Sequence, residues 1–466
     1  MKKLKDIIKC DFDIEICGIT DDSRLVRDGY LFVATKGFNV DHYDFIDKAI
    51  ENGCSFVICD RKININFPHM IVENINDLFY ELCRKFYDLN FDEFNFIGIT
   101  GTDGKTTTAS IVKKLIGDAA YIGTNGLSVV DKHFSTSNTT PCVSELYKDL
   151  KTISDNSCSN VVMEVSSEAL LHDRVKNLKY KIVGFTNITE DHLNVHKTFE
   201  NYRACKLKLL DLVEEDGIVI VNGDDNNLSN IECNNKYSFG FSEANDYIIS
   251  DVVYEKDKTL ITINDSINNN FIKLESPLIG KYNVYNVVMA YLIGFYFGID
   301  KEVLRKRISE IGVIDGRCER LDFGQNFEII LDYAHTTNGI KNILSTFQNK
   351  YNRIITVTGC AGGREKEKRR EIGHIVMSLS DISVFTMDDP RYESVDDIIN
   401  QMVGDEKDYV RITDRVMAIH YALSIAEPND VVLILGKGRD NYMAIRDKKL
   451  DYCDYDVICK YMNREM

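Results

Sequence analysis

The chain has no apolar run long enough to cross a bilayer. The longest, Val287 to Ile299, has 13 residues, where a spanning helix needs about 20; it reads as a buried helix. Nor does the N-terminus read as a secretory leader, because Lys9 and Asp11 interrupt its basic stretch before any apolar core forms. The 13 cysteines contain no Cys-x-x-Cys pair. An odd, unpatterned set implies reduced thiols and a cytoplasmic protein, and nothing is spaced like a four-cysteine zinc cluster. Basic residues are in deficit: 56 Lys and Arg against 73 Asp and Glu, a net charge of −17. That argues against nonspecific nucleic-acid binding, although a local cluster of cations can still hold a polyphosphate. Repeats and low-complexity linkers are absent. The composition, 44% hydrophobic and 28% charged over 466 residues, describes a soluble globular protein of about two to four domains.

Three blocks follow from the hydrophobic pattern. Residues 1–92 mix short strands (Tyr30 to Ala34, Ser55 to Cys59) with helices such as Tyr43 to Asn52. Residues 93–312 alternate buried strands (Phe94–Thr100, Asn160–Val165, Lys181–Thr186, Gly217–Asn222) with helical stretches, which predicts a parallel sheet covered on both faces. Within this block, Tyr247-Ile-Ile-Ser and Thr259-Leu-Ile-Thr-Ile flank a polar Glu-Lys-Asp-Lys turn and predict a small antiparallel appendage. Residues 313–466 alternate again through Glu328–Asp332, Arg353–Gly359, Ile382–Met387 and Asp430–Leu435. The expected class is α/β in three domains. Ligands of open α/β sheets bind at the carboxyl ends of strands.

The densest chemistry is in Phe96-Ile-Gly-Ile-Thr-Gly-Thr-Asp-Gly-Lys-Thr-Thr-Thr108. An apolar strand meets a glycine turn, then a lysine and threonines that can open a helix. Gly101 and Gly104 let the backbone N–H groups of Thr102, Asp103 and Thr107 curl toward phosphate oxygens. Lys105 supplies a cation, and Thr106 offers a hydroxyl to Mg²⁺. Ile99 stands where a full Walker A pattern has its first glycine, so this is the shorter Gly-Thr-x-Gly-Lys-Thr form. After the strand ending near Val165 come Glu164, Ser166 and Ser167. After the next comes Thr186-Asn-Ile-Thr-Glu-Asp-His-Leu193. If these strands neighbour the glycine turn, Glu164 and His192 become candidate Mg²⁺ ligands, since magnesium needs only a few protein groups beside phosphate and water.

The order of motifs is similar to that of the Mur ligase family, and within it the MurE type, which adds the third residue of the peptidoglycan stem peptide. The resemblance covers nearly the whole chain. It begins with Asp22-Ser-Arg24, the glycine loop, Asn138-Thr-Thr-Pro141, Met163-Glu-Val-Ser-Ser167, Asp191-His-Leu193 and Tyr202-Arg-Ala-Cys-Lys206. It continues through Gly280-Lys-Tyr-Asn-Val-Tyr-Asn286, Gly316-Arg-Cys-Glu-Arg320, Asp332-Tyr-Ala-His-Thr336, Gly359-Cys-Ala-Gly-Gly-Arg364, Asp388-Asp-Pro-Arg391 and Gly436-Lys-Gly438. It implies a small N-terminal α/β domain, a central phosphate-loop domain with a parallel sheet, and a C-terminal Rossmann-like domain.

By resemblance, Lys105, Glu164, His192 and Lys206 are catalytic. ATP is held by Gly101 through Thr107, with Asn283 and Asn286 at adenine and Arg317 and Asp332 from the third domain. Lys206 resembles the lysine carbamylated by CO₂ (N6-carboxylysine), which turns an ammonium that repels Mg²⁺ into an anionic ligand. Thr106, Glu164, His192 and carbamylated Lys206 are the implied metal set. Ser23 and Arg24 resemble the uridine-diphosphate site; Thr139, Thr140, Ser166, His172 and Arg174 resemble the groups near the D-glutamyl end of UDP-MurNAc-L-Ala-D-Glu. Arg364, Asp388, Asp389, Arg391, Gly436 and Asp440 resemble the amino-acid site. The implied reaction activates the D-Glu side-chain carboxylate as an acyl phosphate and transfers it to a diamino acid, and the protein is expected to work as a monomer.

Several residues depart from the family pattern. Asp389 replaces Asn in the Asp-Asn-Pro-Arg signature for meso-diaminopimelate, and Gly436-Lys-Gly-Arg-Asp440 replaces Gly-Lys-Gly-His-Glu. Asp103 stands where the loop usually has Asn, and a carboxylate there needs Mg²⁺ or a hydrogen bond. Arg391 favours a substrate with a distal carboxylate, whereas an extra acid at Asp389 favours the ammonium of L-lysine. Meso-diaminopimelate is the favoured substrate and L-lysine the competitor. Folylpolyglutamate synthetase shares the ATP machinery, but Asp22-Ser-Arg24 and Asp-Pro-Arg391 weigh against it. A catalytically silent nucleotide-binding protein of the same shape is disfavoured by the presence of Lys105, Thr106, Glu164, His192 and Lys206.

Overall fold

The computed structural model describes residues 1–35, 41–255 and 257–463. Three larger sheets follow one another along the chain, beside two two-stranded ones among the described residues. The first has four parallel strands in the order Gly18–Thr20, Tyr30–Ala34, Cys54–Cys59, His69–Ile71. The expected helix at Tyr43 is a 3₁₀ turn, His42–Phe45, running into an α-helix, Ile46–Glu51. Asp41 caps that turn by accepting from the Tyr43 N–H.

The second sheet has eleven strands. Its middle runs Ala120–Gly123, Asn160–Glu164, Asn95–Thr100, Tyr180–Phe185, Val213–Asn222, all parallel. Each of these strands carries a continuous apolar stretch because helices cover both faces. The helix Lys281–Tyr296 is apolar nearly all round and packs against the helix Lys105–Ile116, so the run from Val287 is buried as expected.

The antiparallel segment is no appendage. Tyr247–Tyr254, Thr259–Asp265 and Asn270–Ser276 extend the same sheet, joined through parallel pairing of Lys236–Gly240 with Tyr247. The alternating burial of Thr259–Asp265 marks a sheet face laid on the core. Lys256, in the polar turn, lies outside the described residues.

The third sheet orders Glu319–Leu321, Glu328–Asp332, Val431–Leu435, Ile354–Thr358, Ile382–Phe385 and Val410–Arg411, parallel except for its first strand. The first two blocks share one hydrophobic core. Leu31, Phe56 and Phe79 belong to the same buried cluster as Tyr147, Val161 and Val183. Tyr80 Oη donates to Asp173 O across that seam at 2.7 Å. All thirteen cysteines are free thiols. Among the described residues no helix is long and apolar enough to cross a membrane.

One buried ion pair fixes the C-terminal helix Asp454–Met462. Arg415 donates through Nε and Nη2 to the two oxygens of Asp454 at 2.8 and 2.7 Å, and Nη2 also reaches Leu435 O. Both side chains are buried, at 1% and 0% exposure. Removing the acid strands a guanidinium without solvent. Asp454→Ala is expected to lower stability by about 3–5 kcal/mol, read as an earlier urea midpoint for the C-terminal sheet; an unchanged midpoint would contradict this account of the helix.

Candidate active site

The strand Asn95–Thr100 lies between Asn160–Glu164 and Tyr180–Phe185, so three carboxyl ends meet at one edge. The glycine turn sits there. A Cβ on Gly101 would come 1.8 Å from Thr186 Oγ1, and one on Gly104 (φ +84°) would come 2.5 Å from Asn286 Oδ1. Only glycine fits either place. Thr186 Oγ1 and Asn187 Nδ2 donate to Asp103 O at 2.6 and 3.1 Å, while the Asp103 N–H donates to Asn187 Oδ1 at 3.0 Å. The neighbouring strand's end therefore moulds the loop.

Glu164 is fully buried. It accepts from Thr106 Oγ1 and the Thr124 N–H at 2.9 Å each, and from Tyr121 Oη. Burial and the Glu164 charge push the Tyr121 hydroxyl well up, so it stays a donor. Lys105 Nζ donates to Gly101 O and Thr102 O at 2.9 and 2.8 Å. Lys206, 1% exposed, donates to the same Gly101 O at 2.7 Å. Burial, and then the Lys105 charge, hold Lys206 well below the usual amine range. Burial likewise lowers His192 to about 4, against the pull of Asp191, so its ring is neutral near pH 7. Its Nδ1 is buried without a hydrogen-bond partner.

The residues fit a divalent cation that takes most of its ligands from phosphate and water. Among the described residues no group of three His, Cys, Asp or Glu forms a metal site by itself. Glu164 with Thr106 and the neutral imidazole of His192 could supply the sparse set that magnesium accepts.

These groups line a cleft of about 850 Å³ between the second and third sheets. Lys105, Thr106, Glu164, His192, Lys206, Asn283, Asn286, Arg317 and Asp332 all face it, as do Thr139, Ser166, Arg174 and Arg364. Arg317 crosses from the third block to donate to Thr106 Oγ1 at 2.9 Å. Asp332 is buried, and burial raises its pKa against the opposing Arg317 charge and the N–H groups of Cys318 and Ala334. Asp103 has the hydrogen bonds it needs: Thr336 Oγ1 and Asn338 Nδ2 donate to it at 3.1 and 3.5 Å across the cleft. Asn286 is engaged with its own scaffold. Thr108 Oγ1 donates to its Oδ1, and its Nδ2 donates to Asn283 Oδ1.

Thr140 is buried behind the lining, donating to Glu164 O at 2.7 Å, and Arg174 Nη1 donates to Thr140 O. Ser23, Arg24 and His172 lie outside the cleft lining. Ser23 is buried, Arg24 is exposed and paired with Asp22, and His172 ends the helix Ser167–Leu171. Asp388, Asp389, Arg391, Gly436 and Asp440 also lie outside the lining, and Asp440 adjoins the cleft through Tyr333, whose Oη donates to its Oδ2. Asp389 Oδ1 accepts from Lys437 Nζ and from the Ala444 N–H at 2.9 Å each. Asp388 is buried beside Gly436, where a Cβ would lie 2.5 Å from its Oδ2. Arg391, at φ +53°, borders Gly363. Tyr121 and Thr124 are site residues that the motifs did not disclose; no local pattern marks them, because strand pairing alone brings them in.

Three family models match in succession: "Mur ligase family, catalytic domain" over 15–82, "Mur ligase middle domain" over 99–294, and "Mur ligase, glutamate ligase domain" over 316–438. The chain belongs to the Mur ligase family. It is therefore an ATP-dependent, ADP-forming ligase of three-domain architecture. A UDP-N-acetylmuramoyl-L-alanyl-D-glutamate–2,6-diaminopimelate ligase of Fusobacterium nucleatum is 34% identical, covering 98% of this chain and 95% of its own. The second such ligase of Clostridium acetobutylicum is 35% identical, covering 97% and 96%. The MurF ligase of Thermotoga maritima, solved with ADP, shares the fold at a TM-score of 0.66 and 19% identity, covering 96% of this chain and 97% of its own.

Gly104→Ala is expected to weaken ADP binding about tenfold or more. The left-handed backbone costs an alanine roughly 1–2 kcal/mol, about a decade in affinity, and the clash with Asn286 adds to it. Titration calorimetry reads the effect, and wild-type affinity would show that the loop yields freely.

Proposed function

We propose that the chain joins a diamino acid, meso-diaminopimelate in preference to L-lysine, to the D-Glu side-chain carboxylate of UDP-MurNAc-L-Ala-D-Glu. The step belongs to peptidoglycan precursor synthesis, and so to cell-wall growth, cell shape and division. The full-length relatives named for the diaminopimelate reaction support the acceptor. One observation supports the choice of amino acid. Asp389, the residue that should attract an ammonium, is already neutralised by buried Lys437. Among the described residues Arg391 and Arg364 have no acidic partner, and they border one loop through Gly363. Two unpaired guanidinium forks suit an amino acid with a second carboxylate, which lysine lacks.

Residues 1–92 would hold the uridine diphosphate through Ser23 and Arg24, 93–312 the ATP, and 313–466 the amino acid. The assignment is to a cytoplasmic monomer. Thr139, Thr140, Ser166, His172 and Arg174 would hold the D-glutamyl end. Asn283 and Asn286 would lie against adenine. Thr106, Glu164, His192 and carbamylated Lys206 would hold Mg²⁺, which neutralises phosphate charge when bound. The fit of Lys206 rests on its lowered pKa: a neutral amine nitrogen bonds to the carbon of CO₂ and releases one proton, leaving a carbamate.

The chemistry follows from the chain's groups. The D-Glu carboxylate attacks the γ-phosphorus of ATP, and ADP leaves. Lys105, Arg317 and the loop N–H groups stabilise charge on the transferring phosphoryl. The diamino acid's amine attacks the resulting acyl phosphate, the C–O bond breaks, and phosphate departs. The third block covers the cleft and keeps water from the acyl phosphate.

Phosphate release is expected only when ATP, acceptor and amino acid are all present, which separates a ligase from a silent relative. Diaminopimelate should exceed lysine in kcat/KM by about tenfold or more, the worth of one lost charged contact. Robust turnover of lysine with none of diaminopimelate would overturn the preference. Lys105→Ala should abolish turnover. Lys206→Ala should cripple it, and ¹³CO₂ should label Lys206; full activity of either variant contradicts its role.

A further inference from the structure

His192 is held in place from outside its own domain. Its backbone is left-handed at φ +55°, a region uncommon outside glycine though histidine enters it more readily than most, and the residues on either side of it are tied down by neighbours. The neighbours come from the third block. Lys368 Nζ donates to Glu190 O at 2.9 Å and to Asp191 Oδ1 at 3.0 Å, just before His192. Glu365 accepts the Leu193 N–H just after it. Glu365 and Lys368 are themselves paired at 2.5 Å, and both side chains are largely buried, at 13% and 19% exposure. Asp191 passes the restraint inward, with Oδ2 3.5 Å from His192 Nε2, while Nδ1 is buried and makes no hydrogen bond, the Glu168 carboxylate lying 3.8 Å from it. A carboxylate behind one ring nitrogen, with the other making no hydrogen bond, is how proteins orient a metal-binding histidine.

The clamp begins at the residue after Arg364, which lines the cleft. One short segment thus carries both a guanidinium for the amino acid and the grip on the histidine loop. We propose that Glu365 and Lys368 are positioning residues that set His192 for the metal only while the third block is docked, so that the amino-acid site and the metal site are assembled together. The inference rests on the reading of His192 as a magnesium ligand. It makes nucleotide-bound metal a reporter of docking, and it gives the Lys368–Asp191 pair a task that a merely structural ion pair lacks.

The test uses Mn²⁺ as the probe, with β,γ-methylene ATP and the whole protein, read by electron paramagnetic resonance. Lys368→Met is expected to weaken Mn²⁺ binding in the nucleotide complex about tenfold, the usual lower cost of losing an outer-shell partner. Lys368→Arg should recover most of it, and Asp191→Asn should add little in the Lys368→Met background, because the two act in series. In turnover, kcat should fall more than the KM for ATP rises. Should Lys368→Met fold poorly by circular dichroism, Glu365→Ala removes the other arm of the clamp and is expected to weaken Mn²⁺ in the same way. Wild-type Mn²⁺ affinity in a folded clamp variant overturns the proposal while leaving the site intact. Failure of the wild-type protein to take Mn²⁺ with the nucleotide removes the metal reading itself, and the proposal with it.

Discussion

Two lysines converge on one carbonyl oxygen. Lys105 and Lys206 both donate to Gly101 O, one from the glycine turn and one from the helix Phe199–Leu207. Two ammonium groups sharing an acceptor in a desolvated place repel strongly. The conflict is relieved if one of them is neutral, and the deeper one, Lys206, is the one whose protonation is most opposed. The remainder of the site follows from this constraint. A neutral, buried amine is the form that reacts with CO₂, and on the proposed reading the carbamate would turn a repulsive centre into one that welcomes a cation.

The third block completes the site. Arg317 reaches Thr106, Thr336 and Asn338 reach Asp103, and Lys368 reaches Asp191. These bonds join the third block to three different segments of the second: the glycine turn, the start of its helix, and the loop that carries His192. Each is a polar contact between partly buried groups, and Ile279 and Tyr282 of the second block add a small apolar contact with the third. A seam of that kind can open and re-form during turnover, which a ligase that must admit three substrates requires.

The glycine turn was legible because its chemistry is local: the residues that bend the backbone are also those that meet phosphate. Glu164 and His192 were legible because strand ends predict where side chains gather. What sequence could not disclose was chosen by pairing across the fold. Tyr121 and Thr124 reach Glu164 only because Ala120–Gly123 lies beside Asn160–Glu164. The antiparallel segment read as separate because its own alternation is self-contained, and one short parallel pairing at Phe239 and Tyr247 merges it with the main sheet. Asp389 read as a free acid because Lys437 lies 48 residues away along the chain.

The shared core of the first two blocks has a mechanical consequence. Leu31, Phe56 and Phe79 interlock with Tyr147 and Val183 in one continuous apolar mass, so neither half can swing without tearing hydrocarbon from hydrocarbon. The seam with the third block combines hydrogen bonds and ion pairs with a small apolar contact at Ile279. The first two blocks are thus welded into one body.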